Sequence, residues 1–350
     1  MQPIESVGRD FDIPLEDKVR ALRACAAYHG TSGPIDAIET HFAWVFLDAQ
    51  NAYKLKKPVR VGAVDQTTLA ARENSCAEEV RLNRRLAPGV YLGVTPLVRQ
   101  EDGTLHVGGP GRTVDWLVTM RRLPSELMLD HAIEARNVPR ERLVKVGELL
   151  AKFYSQQRPI ELSPDAYMRR ITRGIASDTT QLSAPDLALS SALVESLARQ
   201  ALASCEHVRE DLEKRARDRR IVEGHGDLRP EHICLSDPPF IIDSLEFSLD
   251  LRTLDPGEEL AFLSVECERL GDAQAGDQVL KSYLRSSRDP IPERLIDFYR
   301  CRRAMVRAMV TAWHLRDPQV RNQKPWATRA EGYLRKAQAY AQRSLTRCDG

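Results

Sequence analysis

Apolar and polar residues follow two different patterns along the chain, and the change comes near Pro124. Upstream of this proline, apolar residues alternate with polar ones or fall in short β-rich runs, which predicts strands. Downstream, most apolar residues recur at helical spacing. We therefore expect an α+β chain in which a small β-rich N-terminal lobe precedes a larger, mainly helical C-terminal lobe.

The N-terminal lobe is predicted to contain two hairpins and one helix. Residues 42–47 and 52–55 lie on either side of a turn-like Asp-Ala-Gln-Asn stretch and are expected to form the first hairpin. Helical spacing extends over residues 70–86 and stops at a Pro-Gly pair. A second hairpin is expected to pair residues 104–107 with residues 114–120 across a Gly-Gly-Pro-Gly tip.

The C-terminal lobe is predicted to be helical except at one short β-rich point. Residues 233–235 and 240–242 are expected to form a hairpin around a Ser-Asp-Pro-Pro turn, and polar residues cluster around it. Apolar spacing predicts helices elsewhere, beginning with one that starts at Pro139 and followed by helices over residues 187–212, 258–270, 293–315 and 328–345.

The composition is that of an ordinary globular protein. Of the 350 residues, 42% are hydrophobic, and 51 basic against 50 acidic side chains give a net charge of +1. No global field therefore favours nucleic acid or a membrane as a partner. The seven cysteines include no C-x-x-C pair, which predicts reduced thiols rather than disulfides or a zinc site. Residues 1–22 carry five acidic side chains and no apolar core, so we expect no signal peptide and a cytoplasmic protein.

The densest group of chemically useful residues is the stretch 225–232, His-Gly-Asp-Leu-Arg-Pro-Glu-His, which is followed by the predicted hairpin and then by Asp243. Transfer of a phosphoryl group to a hydroxyl requires a carboxylate that orients the hydroxyl and accepts its proton. It also requires a divalent metal ion with oxygen-rich ligands. Asp227 precedes the hairpin and Asp243 ends its second strand, so we expect the two carboxylates to converge on one point.

Residues 225–232 resemble the catalytic loop H-G-D-x-x-x-x-N of the aminoglycoside phosphotransferase family, and equally the H-R-D-L-K-P-E-N loop of protein kinases. The glycine after His225 favours the small-molecule enzymes. Residues 241–243 resemble the family's metal-binding I-D-W/F-x segment, and residues 255–261 resemble the G-D-P-x-x-D-L-A segment that braces the catalytic loop. The resemblance covers roughly residues 38–315, is nearest to a bacterial subgroup of uncharacterised phosphotransferase-like proteins, and implies the two-lobed protein kinase-like fold.

This resemblance implies an ATP-dependent phosphotransferase that uses Mg²⁺, with Asp227 as the catalytic base and Asp243 as a metal ligand. His232 stands in the place of the family's metal-binding Asn, and Glu259 in the place of its bracing Asp. Because an imidazole suits softer metals than Mg²⁺, one hypothesis is that the protein prefers Mn²⁺ or binds Mg²⁺ weakly. The alternative is that His232 only hydrogen-bonds the loop. Glu246 either supplements the metal site or faces solvent, and we expect it to face solvent.

The stretch 52–58, Ala-Tyr-Lys-Leu-Lys-Lys-Pro, resembles the kinase strand that carries the phosphate-binding lysine. Lys54 and Lys56 face the same side of a strand, so the spacing leaves both as candidates. In the following helix, Glu79 shares a face with apolar residues and is the candidate partner for the ion pair that positions this lysine. The turn 39–44 stands in place of the family's Gly-rich phosphate loop but contains no glycine.

Three regions are expected, namely a helical extension over residues 1–37, a nucleotide-clamping lobe over 38–123, and a lobe over 124–350. The last carries the catalytic loop and a helical insertion that in the family shapes the acceptor pocket. The backbone of Met120 and Arg122, where the lobes join, is the natural partner for the edge of adenine. The expected reaction moves the γ-phosphate of ATP to a hydroxyl of a small molecule. The alternative is a non-catalytic, nucleotide-binding regulatory protein. The sequence leaves the acceptor, the nucleotide base and the oligomeric state open.

Overall fold

The computed structural model describes residues 13–30, 33–61, 64–187, 189–316 and 324–347. The chain divides into two compact units. The first comprises Met1–Ser125 and Phe240–Leu249, and the second comprises Glu126–Pro239 and Asp250–Gly350. The first twelve residues of the expected N-terminal extension, together with Cys348, lie outside the described residues.

The elements follow each other along the chain in two stretches of different character. The N-terminal stretch contains α1 Leu15–Leu22, β1 Asp36–Glu39, β2 Ala43–Leu47, β3 Asn51–Lys56, β4 Arg60–Val61, β5 Val64–Asp65, α2 Leu69–Asn83, β6 Tyr91–Arg99, β7 Leu105–Val107 and β8 Arg112–Arg121. The C-terminal stretch contains α3 Leu129–Glu134, α4 Arg140–Ser155, α5 Pro164–Leu182, α6 Ser191–His207, α7 Arg209–Arg217, β9 Val222–Glu223, β10 Ile233–Cys234, β11 Phe240–Ile241, α8 Leu249–Arg252, β12 Thr253–Leu254, α9 Pro256–Leu270, α10 Ala273–Ser287, α11 Glu293–Trp313 and α12 Lys324–Thr346.

The first unit contains a six-stranded antiparallel sheet with the strand order β1-β2-β3-β8-β6-β7. The predicted first hairpin is confirmed, because β2 pairs antiparallel with β3 and places Val45 opposite Lys54. The predicted second hairpin is wrong. β7 pairs with β6, where Leu97 lies opposite Val107, and β8 pairs with β6 on the other side.

The strand β6 was not predicted, and it separates the two strands that were expected to pair. Gly93 and Pro96 interrupt its apolar pattern, and proline is uncommon inside a paired strand. The pairing of β6 with β8 has register shifts at Tyr91/Gly93 and at Leu97/Val98. Such irregularities accommodate residues that a regular ladder disfavours, and they hide the strand from a search for period-two alternation.

Both faces of this sheet are covered by apolar side chains. Leu117 and Val118, neighbours in β8, belong to two different core clusters because successive strand residues point to opposite faces. One cluster includes residues of α1 such as Leu22, and the other includes Val80 of α2. The second cluster also takes up Phe240 and Ile242, so the segment Phe240–Leu249 is part of the first unit's core.

The second unit is mainly helical, and α9 lies at its centre. Every residue of α9 from Pro256 to Cys267 is buried. Asp255 caps the helix by accepting a hydrogen bond from the amide of Gly257 at 2.7 Å, and Gly271 ends it with a φ of 99°. The helices α3, α10 and α11 pack against it. A helix held on all sides provides a fixed support for any loop that contacts its first turn.

The predicted helices in this part of the chain are largely confirmed. The helices expected over 258–270, 293–315 and 328–345 correspond to α9, α11 and α12. The single helix expected over 187–212 is wrong. The chain forms α6 and α7, which meet at Val208, where a ψ of 15° breaks the helical backbone. None of the helices in the described part of the chain combines the length and the apolar character needed to cross a bilayer.

Candidate active site

Lys54 of β3 joins two carboxylates that come from distant parts of the sequence. Its Nζ donates to Oε1 of Glu79 at 2.9 Å and to Oδ1 of Asp243 at 2.6 Å. Glu79 lies on the buried face of α2, as its spacing with apolar residues predicts, and Asp243 follows β11. The side chain of Lys54 is 16% exposed and that of Asp243 is 43% exposed, so both are accessible from solvent. The structure therefore brings together three of the predicted site residues.

Lys56 has the same orientation as Lys54 but is fully enclosed. Its Nζ lies 2.5 Å from Oε2 of Glu79 and 2.5 Å from Oε1 of Glu246, and its side chain is only 2% exposed. Glu79 thus gives one carboxylate oxygen to each lysine. The expectation that Glu246 faces solvent is wrong, because its carboxylate is 11% exposed and is paired with Lys56. The partner of Glu246 is Lys56 of β3, which lies 190 residues earlier in the sequence.

The electrostatics of this cluster favour its charged forms. Burial alone would lower the pKa of Lys54, but the carboxylates of Asp243 and Glu79 outweigh burial and hold that pKa well above its ordinary value. Burial likewise opposes the charge on Lys56, and Glu79 and Glu246 raise its pKa. Burial would raise the pKa of Glu79, yet the two lysines lower it. Both lysines are therefore cations, and Glu79 is an anion, at neutral pH.

The backbone around Asp243 is held in an unusual conformation. Asp243 has a φ of 64°, in the left-handed region that non-glycine residues seldom adopt. Its amide donates to the hydroxyl of Tyr91 at 3.1 Å, and the next amide, of Ser244, donates to Oδ1 of Asn83 at 2.9 Å. Asn83 also donates from its side chain to the carbonyl of Glu79 at 2.9 Å. These contacts over-determine the backbone and aim the carboxylate of Asp243.

The sequence analysis missed Tyr91 and Asn83. Asn83 lies one helical turn after Glu79, and this i, i+4 spacing in α2 is a signal that could have identified it. Tyr91 is in the unpredicted strand β6, so its position could not be placed. Burial and the nearby carboxylates raise the pKa of Tyr91 well above its ordinary value, which keeps its hydroxyl neutral.

In the second unit, Glu259 braces the stretch 225–232 as the resemblance implies. Its carboxylate accepts hydrogen bonds from the amides of His225, at 2.9 Å, and Gly226, and from the hydroxyl of Tyr154. A Cβ on Gly224 would lie 2.6 Å from Oε2 of Glu259, so only glycine permits this approach. Glutamate is one methylene longer than the aspartate of the family pattern, and here it reaches the amides of both His225 and Gly226.

Asp227 follows these amides, and its carboxylate is partly exposed. Nε of Arg229 donates to Oδ2 of Asp227 at 3.0 Å, and Nη2 of Arg229 lies 3.2 Å from Nε2 of His232. Nδ1 of His232 lies 2.8 Å from the main-chain oxygen of Asp227. Because a carbonyl only accepts, Nδ1 carries the hydrogen, and Nε2 then accepts from the guanidinium. His232 therefore closes the loop on itself through both ring nitrogens.

The donor set fits a hard divalent cation at Asp243 and fits less well at His232. A half-exposed carboxylate is a suitable oxygen ligand for Mg²⁺, which otherwise takes water and substrate phosphates. His232 offers Nε2 only when Arg229 turns away from it. Within the described residues there is no group of three or more His, Cys, Asp or Glu side chains arranged for a metal ion.

Of the predicted nucleotide-edge residues, Met120 lies near the end of β8 and Arg122 directly follows that strand. The amide of Arg122 donates to the carbonyl of Gln50 at 2.8 Å, and its guanidinium donates to the carbonyl of Asp48 at 2.7 Å. Met120 lies inside the sheet, opposite Ala52 of β3. The amide and side chain of Arg122 are therefore used within the first unit.

No protein-family model matches the chain. Two uncharacterised proteins, from Mycobacterium tuberculosis and Mycobacterium bovis, are each 32% identical to it over 299 residues, which cover 82% of this chain and 56% of theirs. The chain thus spans about half the length of these curated relatives.

Three solved structures cover nearly the whole chain. A choline/ethanolamine kinase family protein from Mesorhizobium loti aligns with 94% of this chain and 99% of its own, with a TM-score of 0.56 and 16% identity. LicA in complex with AMP covers 93% of this chain and 97% of its own, with a TM-score of 0.52 and 15% identity. The aminoglycoside phosphotransferase APH(4)-Ia covers 90% of this chain and 96% of its own, with a TM-score of 0.51 and 12% identity.

These structural likenesses confirm the predicted fold, with an antiparallel N-terminal sheet and a mostly helical C-terminal part. They extend over both units, which excludes a match confined to one common motif. The chain therefore shares the protein kinase-like fold of these solved structures, which include a choline/ethanolamine kinase family protein and an aminoglycoside phosphotransferase.

Proposed function

We propose that this chain is a phosphotransferase that moves the γ-phosphoryl group of ATP to a hydroxyl of a small molecule. The observation that carries the proposal is the position of Lys54, which is paired with buried Glu79 and with the accessible carboxylate of Asp243. A lysine held by a helix glutamate beside a metal-binding aspartate is the phosphate clamp that phosphoryl transfer requires.

Lys54, rather than Lys56, is the lysine that we assign to the phosphates. Lys54 is partly exposed and shares its charge between two carboxylates, so it can exchange one of them for a phosphate oxygen. Lys56 is enclosed between Glu79 and Glu246 and has no open direction towards a ligand. This assignment resolves the alternative that strand periodicity alone leaves open.

Asp227 is the proposed catalytic base. It would orient the acceptor hydroxyl and take its proton as the new bond forms between the hydroxyl oxygen and the γ-phosphorus. The bond between the γ-phosphorus and the bridging oxygen breaks, and ADP leaves with the electron pair. Arg229, held beside Asp227, would offset the negative charge of the transferred group. Asp243 would hold Mg²⁺ or Mn²⁺, and the metal ion would neutralise the phosphate oxygens.

ATP is the preferred donor in this proposal because LicA, a structural neighbour, was solved with AMP. The segment around Met120 and Arg122 would contact the base edge. Since the amide of Arg122 is already bonded to Gln50, its contribution would come through its carbonyl oxygen. The names of the neighbours, choline/ethanolamine kinase and aminoglycoside phosphotransferase, support a small-molecule hydroxyl as the acceptor.

The test is ATP consumption by the purified chain with pooled metabolites as acceptors, in Mg²⁺ and separately in Mn²⁺. We expect turnover that falls by about a thousandfold or more in Asp227→Asn, because the base is lost while the shape is kept. The metabolite pool that supports turnover would then narrow the range of possible acceptors. Turnover that is unchanged in Asp227→Asn would contradict the assignment of the base.

A second candidate is a non-catalytic, nucleotide-binding regulatory protein. The observation that favours it is His232, which stands in place of a metal-binding Asn and has both ring nitrogens engaged within the loop. If this candidate is right, ATP raises the melting temperature of the chain, and no pool of acceptors yields turnover with either metal. Turnover that depends on Asp227 excludes it.

A further inference from the structure

Beyond the apolar packing of Phe240 and Ile242, two sets of polar contacts attach the segment Phe240–Leu249 to the first unit. The first set reaches α2 and β6 through the amides of Asp243 and Ser244. The second set reaches β3, and its member furthest along the segment is the ion pair between Glu246 and Lys56 at 2.5 Å. Phe247 then lies with its ring 6.2 Å from that of Phe42, next to β2.

We infer that the Lys56–Glu246 ion pair is a latch that fixes the segment carrying Asp243 against β3. Lys56 is thus a positioning residue, and it acts on the metal-binding carboxylate through Glu246. The inference deepens the proposed function and rests on it for the role of Asp243. The attachment of the segment is a separate structural statement that can be measured without any nucleotide.

The burial of the pair supports this role. Lys56 is 2% exposed and Glu246 is 11% exposed, and Ser75 of α2 adds a hydroxyl 3.4 Å from the same carboxylate oxygen. Removing one partner of a buried pair leaves a charge without compensation in a site shielded from water. Opening the segment would leave Lys56 facing only Glu79. The closed arrangement is therefore favoured by electrostatics as well as by packing.

The two lysines have different roles in this proposal, and the difference explains why the segment needs a second ion pair. In the proposed reaction Lys54 turns to the phosphates, and its hold on Asp243 weakens at the moment when that carboxylate must bind metal. While Lys54 contacts the phosphates, Lys56 remains paired with the other carboxylate oxygen of Glu79. Lys56 also remains paired with Glu246. The segment thus stays in place while Lys54 changes partners. A single lysine could not bind phosphate and hold the segment at once.

Hydrogen–deuterium exchange of the peptide that spans residues 240–249 tests the latch directly. We expect Lys56→Met and Glu246→Gln each to accelerate its exchange by about tenfold, because the amides of Asp243 and Ser244 open more often. The double variant should exchange no faster than the faster single variant, because both changes remove the same pair. Arg60→Met, which breaks the exposed pair with Asp65, is the matched control and should leave this peptide unchanged.

A binding measurement then distinguishes positioning from general loosening. The Kd for Mn²⁺, measured by electron paramagnetic resonance with ADP present, should rise about tenfold in both single variants, whereas metal-free affinity for ADP should change less than about twofold. Lys56→Arg, which keeps the charge, should restore both the exchange and the Mn²⁺ affinity. Glu246→Gln keeps the side-chain volume, so it decides the question if Lys56→Met does not fold.

The outcomes separate the latch from the proposed function. Unchanged exchange in Glu246→Gln overturns the latch, as do single-variant effects that add in the double variant. Accelerated exchange in a chain that binds neither Mn²⁺ nor ADP supports the latch and overturns the proposed function. Equal losses of metal-free and metal-dependent binding overturn the positioning role of Lys56.

Discussion

The carboxylate of Glu259 accepts a hydrogen bond from the main-chain amide of His225 at 2.9 Å. It also binds the amide of Gly226 and the hydroxyl of Tyr154, so one buried side chain joins α4, α9 and the loop that carries Asp227. The loop has little regular structure of its own apart from a short 3₁₀ turn. Its geometry therefore depends on Glu259.

Replacing Glu259 by Gln should reduce both turnover and stability. The amide nitrogen of Gln would face a backbone donor that now meets a carboxylate oxygen, and a buried donor without a partner costs about 1–3 kcal/mol. Displacement of Asp227 should lower kcat by about a hundredfold. Nucleotide affinity, which the proposed clamp in the first unit would provide, should change little. Steady-state kinetics, calorimetric ATP titration and urea unfolding measure the three quantities.

The neighbouring Glu258 offers the control for this prediction. It is buried in the same helix turn, but its carboxylate pairs with Arg303 at 3.1 Å, whereas the amides of His225 and Gly226 bind Glu259. Glu258→Gln should lower stability and leave kcat nearly unchanged. An equal loss of kcat in the two variants would show that the effect of Glu259 is only a loss of stability.

Lys54 should be the lysine on which ATP binding depends. Lys54→Met removes the cation that the phosphates would meet, and we expect the Kd for ATP to rise by about tenfold or more and kcat to fall by about a thousandfold. Lys57→Met is the control, because Lys57 follows β3 and pairs with the exposed Glu39 at the surface. Isothermal titration calorimetry measures the Kd for ATP, and steady-state kinetics measure kcat. Similar losses in both variants would argue against a specific clamp.

His232 should set the metal preference, if the loop opens for the metal. His232→Asn exchanges a nitrogen ligand for an oxygen ligand, so activity with Mg²⁺ should rise relative to activity with Mn²⁺ by about tenfold. The measurement is the ratio of the turnover rate with Mg²⁺ to the turnover rate with Mn²⁺. General damage to the loop lowers both rates and therefore leaves their ratio unchanged. An unchanged ratio would leave His232 with the loop-closing role that its two hydrogen bonds already give it.

Local sequence predicts the contacts among the candidate residues of the second unit, whereas it predicts those of the first unit only in outline. Asp227, Arg229 and His232 lie within one short stretch, so their proximity follows from the sequence itself. Glu259 was identified because its place after the helix start at Asp255 matches a motif. These residues interact over one loop and one helix terminus, and such interactions leave a signal that can be recognised in the sequence.

The lysine cluster could not be resolved in the same way. Period two in β3 makes Lys54 and Lys56 equivalent, and only the fold shows that one meets Asp243 while the other meets Glu246. Glu246 was expected to face solvent, but its partner Lys56 lies 190 residues away in the sequence. Tyr91 was missed with β6. In each case the deciding partner is on a separate element, and no local pattern encodes that pairing.

A buried ion triad should control the stability of the first unit. Asp115 of β8 accepts from Lys18 of α1 at 2.8 Å and from Arg72 of α2 at 2.7 Å, and all three side chains are almost fully enclosed. Asp115→Asn leaves two buried cations side by side, and we expect a loss of about 3–5 kcal/mol. Asp65→Asn, which breaks an exposed pair with Arg60, should cost much less stability because solvent screens that pair. Urea unfolding followed by circular dichroism compares the stabilities of the two variants. Equal unfolding midpoints for Asp115→Asn and Asp65→Asn would contradict the prediction.

Asp178 should make the stability of the chain depend on pH between about 4 and 6. It lies on the buried face of α5, and burial raises its pKa from 3.8 to about 6, although Arg302 and Arg303 oppose the shift and Glu258 adds to it. A carboxyl with a raised pKa binds its proton more tightly in the folded chain than in the unfolded chain. Its contribution to stability is therefore greatest below the unfolded pKa, falls as the pH rises through this window, and is constant above it.

At neutral pH the folded chain thus holds Asp178 as a disfavoured anion, at a cost of up to about 3 kcal/mol. Asp178→Asn removes the titration, so the variant should lose less stability than the parent chain when the pH is raised from 4.5 to 7.5. Asp165→Asn, at an exposed position of the same helix, is the control and should leave the pH dependence as it is. Urea unfolding at a series of pH values is the measurement. Parallel pH profiles for the parent and Asp178→Asn would show that the arginines of α11 compensate the carboxylate fully.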